Sequence, residues 1–257
     1  MNLKIRKAEV VLNNEKSLII GRNSVSEAIK AGREIECLFV QSGQSTGSIK
    51  VILAKAKQNG ILIKNIDRKK LDAMSNSSAH QGIIAVTSQK QYCSVDDILN
   101  FAKSKNEPPF IIIADGIEDP HNLGAIIRTA ECAGAHGIII PKRRAAGLTD
   151  VVSKTSAGAL EYVKIAKVSN LASTIDELKS KGLWIYGADM DGETWYKKDL
   201  TGPFVLVIGA EGRGISKLIK EKCDFIISLP MFGKIESLNA SVAAGILMYE
   251  VRRQRKI

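Results

Sequence analysis

Short apolar runs alternate with stretches of helical periodicity along the first third of the chain. The predicted strands are Leu18–Ile20, Cys37–Val40, Ile61–Ile66 and Ile83–Val86, and the predicted helices are Ser24–Ala31, Ser48–Gln58 and Arg68–Met74. This pattern predicts a small α/β domain over residues 1–90. The polar stretch 91–107 is predicted to be a linker with one short amphipathic helix, Val95–Lys103.

After Pro108 and Pro109 the alternation of strands and helices becomes regular. The predicted strands are Phe110–Ala114, Gly137–Ile140, Tyr162–Ile165, Leu183–Gly187, Phe204–Ile208 and Phe225–Leu229. The predicted helices are Leu123–Ala133, Ser153–Ala159, Leu171–Lys181, Ile215–Lys222 and a last helix from about Asn239 to Arg255. Apolar strands that are each followed by a helix are typical of a parallel sheet covered on both faces. Residues 108–257 are therefore predicted to form a doubly wound α/β domain with ligands at the carboxyl ends of its strands.

The positive charge of the chain is concentrated in the first predicted domain. Residues 1–90 hold 15 Lys and Arg against 7 Asp and Glu, whereas residues 91–257 hold 22 against 20. An unbalanced basic segment predicts a polyanionic partner such as RNA, and a solvated surface that aids solubility is the alternative. Because Phe39 is the one aromatic residue of this segment, RNA binding there is expected to use phosphates and shape rather than base stacking.

The N-terminal sequence, the apolar runs and the cysteines indicate which compartment and which ligands to expect. The N-terminal residues lack the apolar core of a secretory signal, and no apolar run reaches the ~18 residues that span a bilayer. The four cysteines form no CxxC pair, and with three histidines they give no zinc signature. We therefore expect a cytoplasmic protein with free thiols, no metal and no membrane association. The cysteines are Cys37, Cys93, Cys132 and Cys223.

The first of three loops with chemically useful residues follows the strand that ends at Ala114. In this first loop, 115–134, Asn122 stands where a helix N-cap is wanted and Arg128 lies nearly two turns into the helix. The alternatives are that Asn122 is only a cap and that Arg128 forms a structural ion pair with Glu131 at i+3.

The second loop, 209–216, places three glycines after an apolar strand, which suggests backbone held against a ligand. These glycines, Gly209, Gly212 and Gly214, match neither GxGxxG nor GxxxxGK[ST], so dinucleotide and P-loop chemistry are not supported. Glu211 would repel a phosphate but could accept hydrogen bonds from a cationic or hydroxylic substrate. A plain tight turn is the alternative.

The third loop, 229–239, leads into the C-terminal helix, which Ser237 or Asn239 could cap. The basic run Arg252–Lys256 suits the negative end of that helix. A capped core helix with a basic end is the alternative for this segment.

In order and spacing, these loops closely resemble the motifs of the SpoU family, the RNA ribose 2′-O-methyltransferases of the SPOUT superfamily. The similar segments are DPHNLGAIIRTA at 119–130, VIGAEGRGIS at 207–216 and LPMFGKIESLNASVAAGI at 229–246. IIGRNSVSEAI at 19–29 and SAHQGIIA at 78–85 resemble the family's substrate-binding domain. The resemblance implies a parallel sheet with a deep trefoil knot, S-adenosylmethionine (SAM) bound in the knot, and a homodimer. It also implies a substrate class, guanosine in large-subunit ribosomal RNA.

The resemblance also assigns residues to the site. It implies cofactor contacts at Gly209, Leu229 and Leu238, with Met231 and Ser237 as neighbours. It makes Arg128 the main catalytic candidate, and the remaining catalytic residues are Asn122, Glu211, Ser237 and Asn239. Because a guanidinium with a pKa above 12 is a very poor base, we expect Arg128 to bind a phosphate and stabilise developing negative charge.

Two basic features are expected to contact RNA phosphates. One is Lys142, Arg143 and Arg144, for which a solvated turn is the alternative, and the other is Arg22 in the N-terminal domain. Within the family, the alternative is an enzyme that acts on transfer RNA or on another ribosomal position. An RNA-binding assembly factor without turnover is the alternative outside enzymes. A Rossmann-type dinucleotide enzyme is a distant third alternative. The sequence lacks both the glycine spacing and the acidic residue that such an enzyme needs.

Overall fold

A computed structural model describes residues 16–44, 47–75 and 79–255. We expect no secretory signal at the N-terminus. Apart from Lys16, the residues on which this expectation rests lie outside the described ones. Ser78 of the SAHQGIIA motif and Lys256 of the basic run also lie outside them.

The N-terminal residues form a four-stranded mixed sheet. Its strands are β1 (Lys16–Ile20), β2 (Ile35–Gln41), β3 (Ile63–Ile66) and β4 (Ile83–Ser88), and its helices are α1 (Arg22–Lys30), α2 (Ser48–Gln58) and α3 (Arg68–Met74). The strand order is β1-β4-β2-β3, with β4 antiparallel to both neighbours and β3 parallel to β2. Buried residues of α1 and α2, such as Val25 and Ile52, pack on one face. Leu71 of α3 packs on the other face, so the small α/β unit has a core on each side.

The remaining residues form a six-stranded, wholly parallel sheet in the order β10-β8-β9-β5-β6-β7. Its strands are β5 (Phe110–Asp115), β6 (Gly137–Pro141), β7 (Lys164–Val168), β8 (Trp184–Thr194), β9 (Phe204–Gly209) and β10 (Phe225–Ser228). Its helices are α4 (Val95–Ser104), α5 (Pro120–Cys132), α6 (Asp150–Thr155), α7 (Leu171–Ser180), α8 (Lys217–Lys222) and α9 (Ala240–Gln254). Short 3₁₀ turns lie at Ala159–Glu161 and Trp195–Lys197.

Central strand β5 shows why its sequence is apolar at every position. Ile112 and Ala114 point into one buried cluster, whereas Ile111 and Ile113 point into the cluster on the opposite face. A strand buried on both faces has no polar side to expose. The expected α/β class with a parallel sheet is confirmed.

The segment 91–107, predicted as a linker with one short helix, contains that helix as α4 and packs against the six-stranded sheet. Cys93 pairs with Ala166 as an extension beside β7, and its N–H donates to the Ile165 carbonyl at 2.9 Å. Ile98 and Ala102 of α4 are fully buried. Polar composition indicated a linker, but the apolar face of α4 covers the six-stranded sheet.

The start of α5 also corrects a prediction. The helix begins at Pro120, and Asp119 is its N-cap, accepting a hydrogen bond from the His121 N–H at 2.9 Å. Proline suits the first helical position because its fixed φ is preorganised and it has no N–H to satisfy. Asn122 is therefore not the cap but a buried residue inside the first turn.

Other predicted elements differ from the structure in their bounds. Thr149 caps α6, and the positive φ values of Ala157 (52°) and Gly158 (95°) separate that helix from the turn that follows it. The predicted helix Ser153–Ala159 therefore starts and ends earlier, and β7 begins later than predicted. Strand β8 is longer than predicted, because its pairing with β10 resumes at Glu193 after an irregular stretch beyond Gly187.

Polar contacts join the two sheets. Asp150 Oδ1 of α6 accepts hydrogen bonds from Ser17 Oγ at 3.0 Å and from the Leu18 N–H at 3.1 Å. The buried pair Arg33–Glu161 has a distance of 2.6 Å between Nη1 and Oε1. These contacts fix the N-terminal sheet beside α6 and the 3₁₀ turn that follows it.

Candidate functional site

A cavity of about 490 Å³ opens at the carboxyl ends of β9 and β10 and beside Ala188, Asp189 and Met190 of β8. This edge is where a parallel α/β sheet usually binds its ligands. The described residues that line it are Ala188, Asp189, Met190, Ile208, Gly209, Ala210, Glu211, Gly212, Gly214, Ile227, Leu229, Met231, Glu236, Ser237, Leu238, Asn239, Ala240, Ala243 and Leu247. All five residues expected to contact the cofactor are among them.

The second loop forms one wall of the cavity because glycine lets its backbone fold back on β9. Ala210 and Gly214 exchange two backbone hydrogen bonds, at 3.1 and 2.9 Å. A Cβ on Gly209 would collide with the backbone of Gly214 and Ile215. The strand end is therefore pressed against the loop, and main-chain groups line the cavity there.

Asn239 joins the three loops at the rim of the cavity. It caps α9: its Oδ1 accepts hydrogen bonds from the N–H groups of Ser241 at 2.9 Å and Val242 at 3.3 Å. This capping geometry turns Nδ2 away from the helix, where it donates to Asn122 Oδ1 at 2.9 Å and to Glu211 Oε1. The structure thus brings together one predicted catalytic residue from each loop.

Ser237 lines the cavity close to this cluster, and it does not cap α9. Of the two caps considered for the last helix, Asn239 is the one used. A side chain two residues before the cap is left available at the cavity.

Arg128 makes no hydrogen bond with this cluster. It is exposed on α5, does not line the cavity, and within the described part of the chain has no hydrogen bond or ion pair. The ion pair between Arg128 and Glu131, which was the structural alternative for Arg128, is not formed. Its guanidinium is therefore available for a group from outside this chain.

The basic loop after β6 lies beside the first loop. Lys142, Arg143 and Arg144 are all exposed. The backbone N–H of Ala146 donates to the Ile117 carbonyl at 2.8 Å and holds the two loops together. The loop that carries these three cations is thus attached to the first loop ahead of α5.

Arg22 is held by its own domain. Its Nε donates to the Gln81 carbonyl at 2.9 Å, and its two Nη atoms contact Ser48 Oγ at 3.3 Å and Gln44 Oε1 at 3.4 Å. Gln81 has a positive φ of 53°, and this turn is further held by the buried His80, whose Nδ1 accepts from the Gly82 N–H. The arginine therefore fixes this turn and keeps only part of its donor set for a ligand.

Asp189 and Glu236 line the cavity but were not singled out in the sequence. Asp189 follows the apolar part of β8, so the rule that ligands bind at carboxyl ends of strands could have found it. Glu236 directly precedes Ser237 and carried no separate signal.

The comparisons with known proteins concern the fold and the family of the chain. The chain is similar to AviRb, a SpoU methyltransferase from Streptomyces viridochromogenes, with a TM-score of 0.79, 25% identity and coverage of 94% of this chain and 90% of that one. A structure of an AdoMet-bound rRNA methyltransferase from Sinorhizobium meliloti has a TM-score of 0.76 at 24% identity and covers 93% and 87%. The fold is thus that of the SpoU methyltransferases, the SPOUT fold.

Sequence relatives lead to the family. YacO of Bacillus subtilis (strain 168), named as a TrmH family tRNA/rRNA methyltransferase, is 48% identical over 95% of this chain and 98% of its own length. Residues 109–249 match the SpoU rRNA methylase family, and residues 18–93 match the domain described as RNA 2′-O ribose methyltransferase substrate binding. The chain belongs to the SpoU rRNA methylase family of RNA methyltransferases.

Proposed function

We propose that this protein transfers a methyl group from SAM to a ribose 2′-hydroxyl of RNA, with guanosine of large-subunit ribosomal RNA as the target. The observation that carries the proposal is the contact of Asn239 with both Asn122 and Glu211 at the rim of the cavity. A polar cluster assembled from three loops beside a ligand-sized cavity suits the positioning of a substrate hydroxyl next to a cofactor.

The cavity fits SAM in size and lining. Its volume of about 490 Å³ is in the range of cofactor pockets, and its surface combines apolar side chains with main-chain groups of the second and third loops. Backbone N–H and C=O groups at Gly209, Leu229 and Leu238 would read the adenine edge, while Met231 and Ser237 would lie alongside. When bound there, the cofactor supplies a methyl group activated by its sulfonium charge.

The catalytic cluster would act mainly by orientation. Asn122, Glu211 and Asn239 hold one another in a fixed arrangement, so hydrogen bonds to the ribose would need little reorganisation. Ser237 would complete the site from the cavity wall. Arg128 has no partner among the described residues, which supports its assignment to a substrate phosphate rather than to a structural ion pair.

We propose that the N-terminal domain, 1–90, and the basic loop bind RNA around this site. The exposed residues Lys142, Arg143 and Arg144 beside the first loop support phosphate contacts there. Arg22 would contribute through the turn that it organises as well as through its remaining N–H groups. RNA affinity should fall steeply with salt, and a flat salt response would rule out these assignments.

The knot and the homodimer belong to the same proposal. The last helix α9 packs against α5, and Gln254 and Arg255 contact the segment between β8 and β9, which supports threading of the C-terminal segment. Val242, Ile246 and Tyr249 form an exposed apolar stripe on α9, which supports association of two copies. Light scattering should give a dimer mass for the wild type and a smaller mass for Ile246→Glu.

In the part of the chain that the structure describes, no helix is long and apolar enough to cross a membrane. The same residues contain no group of three His, Cys, Asp or Glu that could hold a metal ion. We propose that the protein acts in the cytoplasm, as expected for an enzyme of RNA.

The experiment is methyl transfer from labelled SAM to unmodified large-subunit ribosomal RNA and to transfer RNA, with nucleoside analysis of both products. We expect 2′-O-methylguanosine in the ribosomal RNA alone. Label in transfer RNA alone would overturn the substrate assignment and favour the tRNA alternative, which the tRNA/rRNA name of the Bacillus relative keeps open. Absence of label from both RNAs and from ribosomal particles would favour an assembly factor.

A further inference from the structure

The charges that line the cavity all have one sign. Among the described residues, its lining includes three carboxylates, Asp189, Glu211 and Glu236, and no Lys, Arg or His. Lys220 Nζ lies 3.1 Å from Asp189 Oδ2 and offsets that charge. Glu211 accepts a hydrogen bond from Asn239.

Glu236 differs from the other two carboxylates. Within the described part of the chain it has neither a hydrogen bond nor an ion pair, and it lines both the main cavity and an adjoining one of about 360 Å³. The neighbouring cation Lys234 is exposed and lines neither cavity. Glu236 is exposed, and of the three carboxylates it is the one with neither a hydrogen bond nor a cation among the described residues, at the wall that the two cavities share.

The cofactor and the product of methyl transfer differ in one charge. SAM and S-adenosylhomocysteine share the adenosine and the amino-acid group, whose ammonium and carboxylate cancel at neutral pH. SAM also carries a sulfonium, whereas the product carries a neutral thioether. A difference in affinity between the two ligands therefore reports on the potential at the sulfur and on contacts of the methyl group.

We propose that Glu236 makes the cavity selective for the sulfonium cofactor over its thioether product, so that loss of the positive charge on methyl transfer favours product release. The proposal rests on the cavity being the cofactor site, and it is independent of which RNA is methylated. A single charge in a partly solvated site changes the affinity of a cation by about 3- to 10-fold.

The test compares three ligands by isothermal titration calorimetry. The ligands are SAM, S-adenosylhomocysteine and an analogue with a protonated amine in place of the sulfonium. For Glu236→Gln we expect the Kd of SAM and of the amine analogue to rise by about 3- to 10-fold and the Kd of the thioether to stay constant. The matched control is Glu221→Gln, since Glu221 is exposed on α8, outside the cavity and without an ion pair among the described residues. It should leave all three constants unchanged.

Equal changes for all three ligands, or no change, would overturn the role of Glu236. A second test uses salt and needs no variant. For the wild type, the ratio of the Kd of the thioether to the Kd of SAM should decrease as ionic strength rises. A preference that is independent of salt would also overturn the proposal.

A further variant separates this failure from failure of the cofactor site itself. Ala243 of α9 lines the cavity, and Ala243→Phe should fill it and weaken all three ligands together. If Ala243→Phe folds and binds all three like the wild type, the cavity assignment is wrong and the selectivity proposal fails with it. If Ala243→Phe abolishes binding while Glu236→Gln changes nothing, only the selectivity proposal fails.

Discussion

Asn239 has two separate tasks at its two side-chain atoms. Its Oδ1 caps α9 and its Nδ2 contacts Asn122 and Glu211. We predict that Asn239→Asp separates these tasks, because Asp keeps the capping oxygen but replaces the donor with a charge that repels Glu211. Methyl transfer should fall by ~100-fold or more, as when a positioned donor at a reacting group is removed, while the melting temperature changes little.

The matched control for this variant is Asn170→Asp, since Asn170 caps α7 through its Oδ1 in the same way. It should retain full methyl transfer. Methylation by Asn239→Asp at the rate of the control would show that the Nδ2 contacts are not needed for function.

Residue-level roles came from the resemblance rather than from the pattern of apolar positions. Asn122 and Asn239 are 117 positions apart, and helix periodicity carries no information on such a contact. The pattern also placed the cap of α5 at Asn122, although Asp119 and Pro120 give a better N-terminal sequence. Local rules identified polar residues near helix starts but could not distinguish a cap from a site residue.

At the scale of elements, Gly124 sets how closely α5 packs on α6. A Cβ there would meet Thr155 Cβ at 2.6 Å and the Ser156 backbone N at 3.2 Å. We predict that Gly124→Ala destabilises the protein, because overpacking costs about 1–3 kcal/mol and exceeds the ~1 kcal/mol by which Ala is the better helix former. Urea unfolding would measure the change.

Gly245 provides the comparison within α9. A Cβ at Gly245 would lie 3.6 Å from Thr129 Cγ2, an ordinary contact. Gly245→Ala should therefore be neutral or stabilising by up to ~1 kcal/mol. Equal effects of the two substitutions would show that the space around Gly124 does not limit the packing of α5.

The same difference between local and tertiary information decided which elements were predictable. Strands β5 and β9 were found because burial on both faces requires apolar residues throughout. The stretch 91–107 looked like a linker because its polar residues outnumber the few, such as Ile98, that enter the core. The polar continuation of β8 after Gly187 is fixed by pairing with β10, so its own sequence does not mark it as a strand.

For the whole molecule, the two sheets were predictable but their mutual placement was not. Arg33 and Glu161 are 128 positions apart, and both are mostly buried between the sheets. Charged residues are usually assigned to the surface from sequence, so a buried pair is invisible before the fold is known. The cavity could not be predicted for the same reason, because β8, β9 and α9 come together only in the folded chain.

The stability of the whole fold should depend on pH through a buried histidine at the end of the large sheet opposite the cavity. His136 is fully buried, and its Nδ1 accepts a hydrogen bond from the Phe110 N–H at 3.0 Å, which requires an unprotonated Nδ1. Burial lowers the pKa of His136 and outweighs Glu107, which raises it, while Lys105 and Arg255 lower it further. The folded chain therefore keeps His136 neutral at pH values where the unfolded chain begins to protonate it.

The sign of the resulting pH dependence follows from proton linkage. Because the folded pKa lies below the ordinary value of 6.5, the contribution of neutral His136 to stability is complete above that pH. The unfolded state binds more protons below pH 6.5, so this contribution is lost as the pH falls from about 6.5 towards the folded pKa.

We predict that urea midpoints measured between pH 5 and 8 fall more steeply on acidification for the wild type than for His136→Asn, which keeps an acceptor for Phe110. His121→Asn, at an exposed histidine, should keep the wild-type slope. If His136→Asn also keeps that slope, the acid sensitivity arises from other groups, and the hydrogen bond at the start of β5 does not select the neutral imidazole.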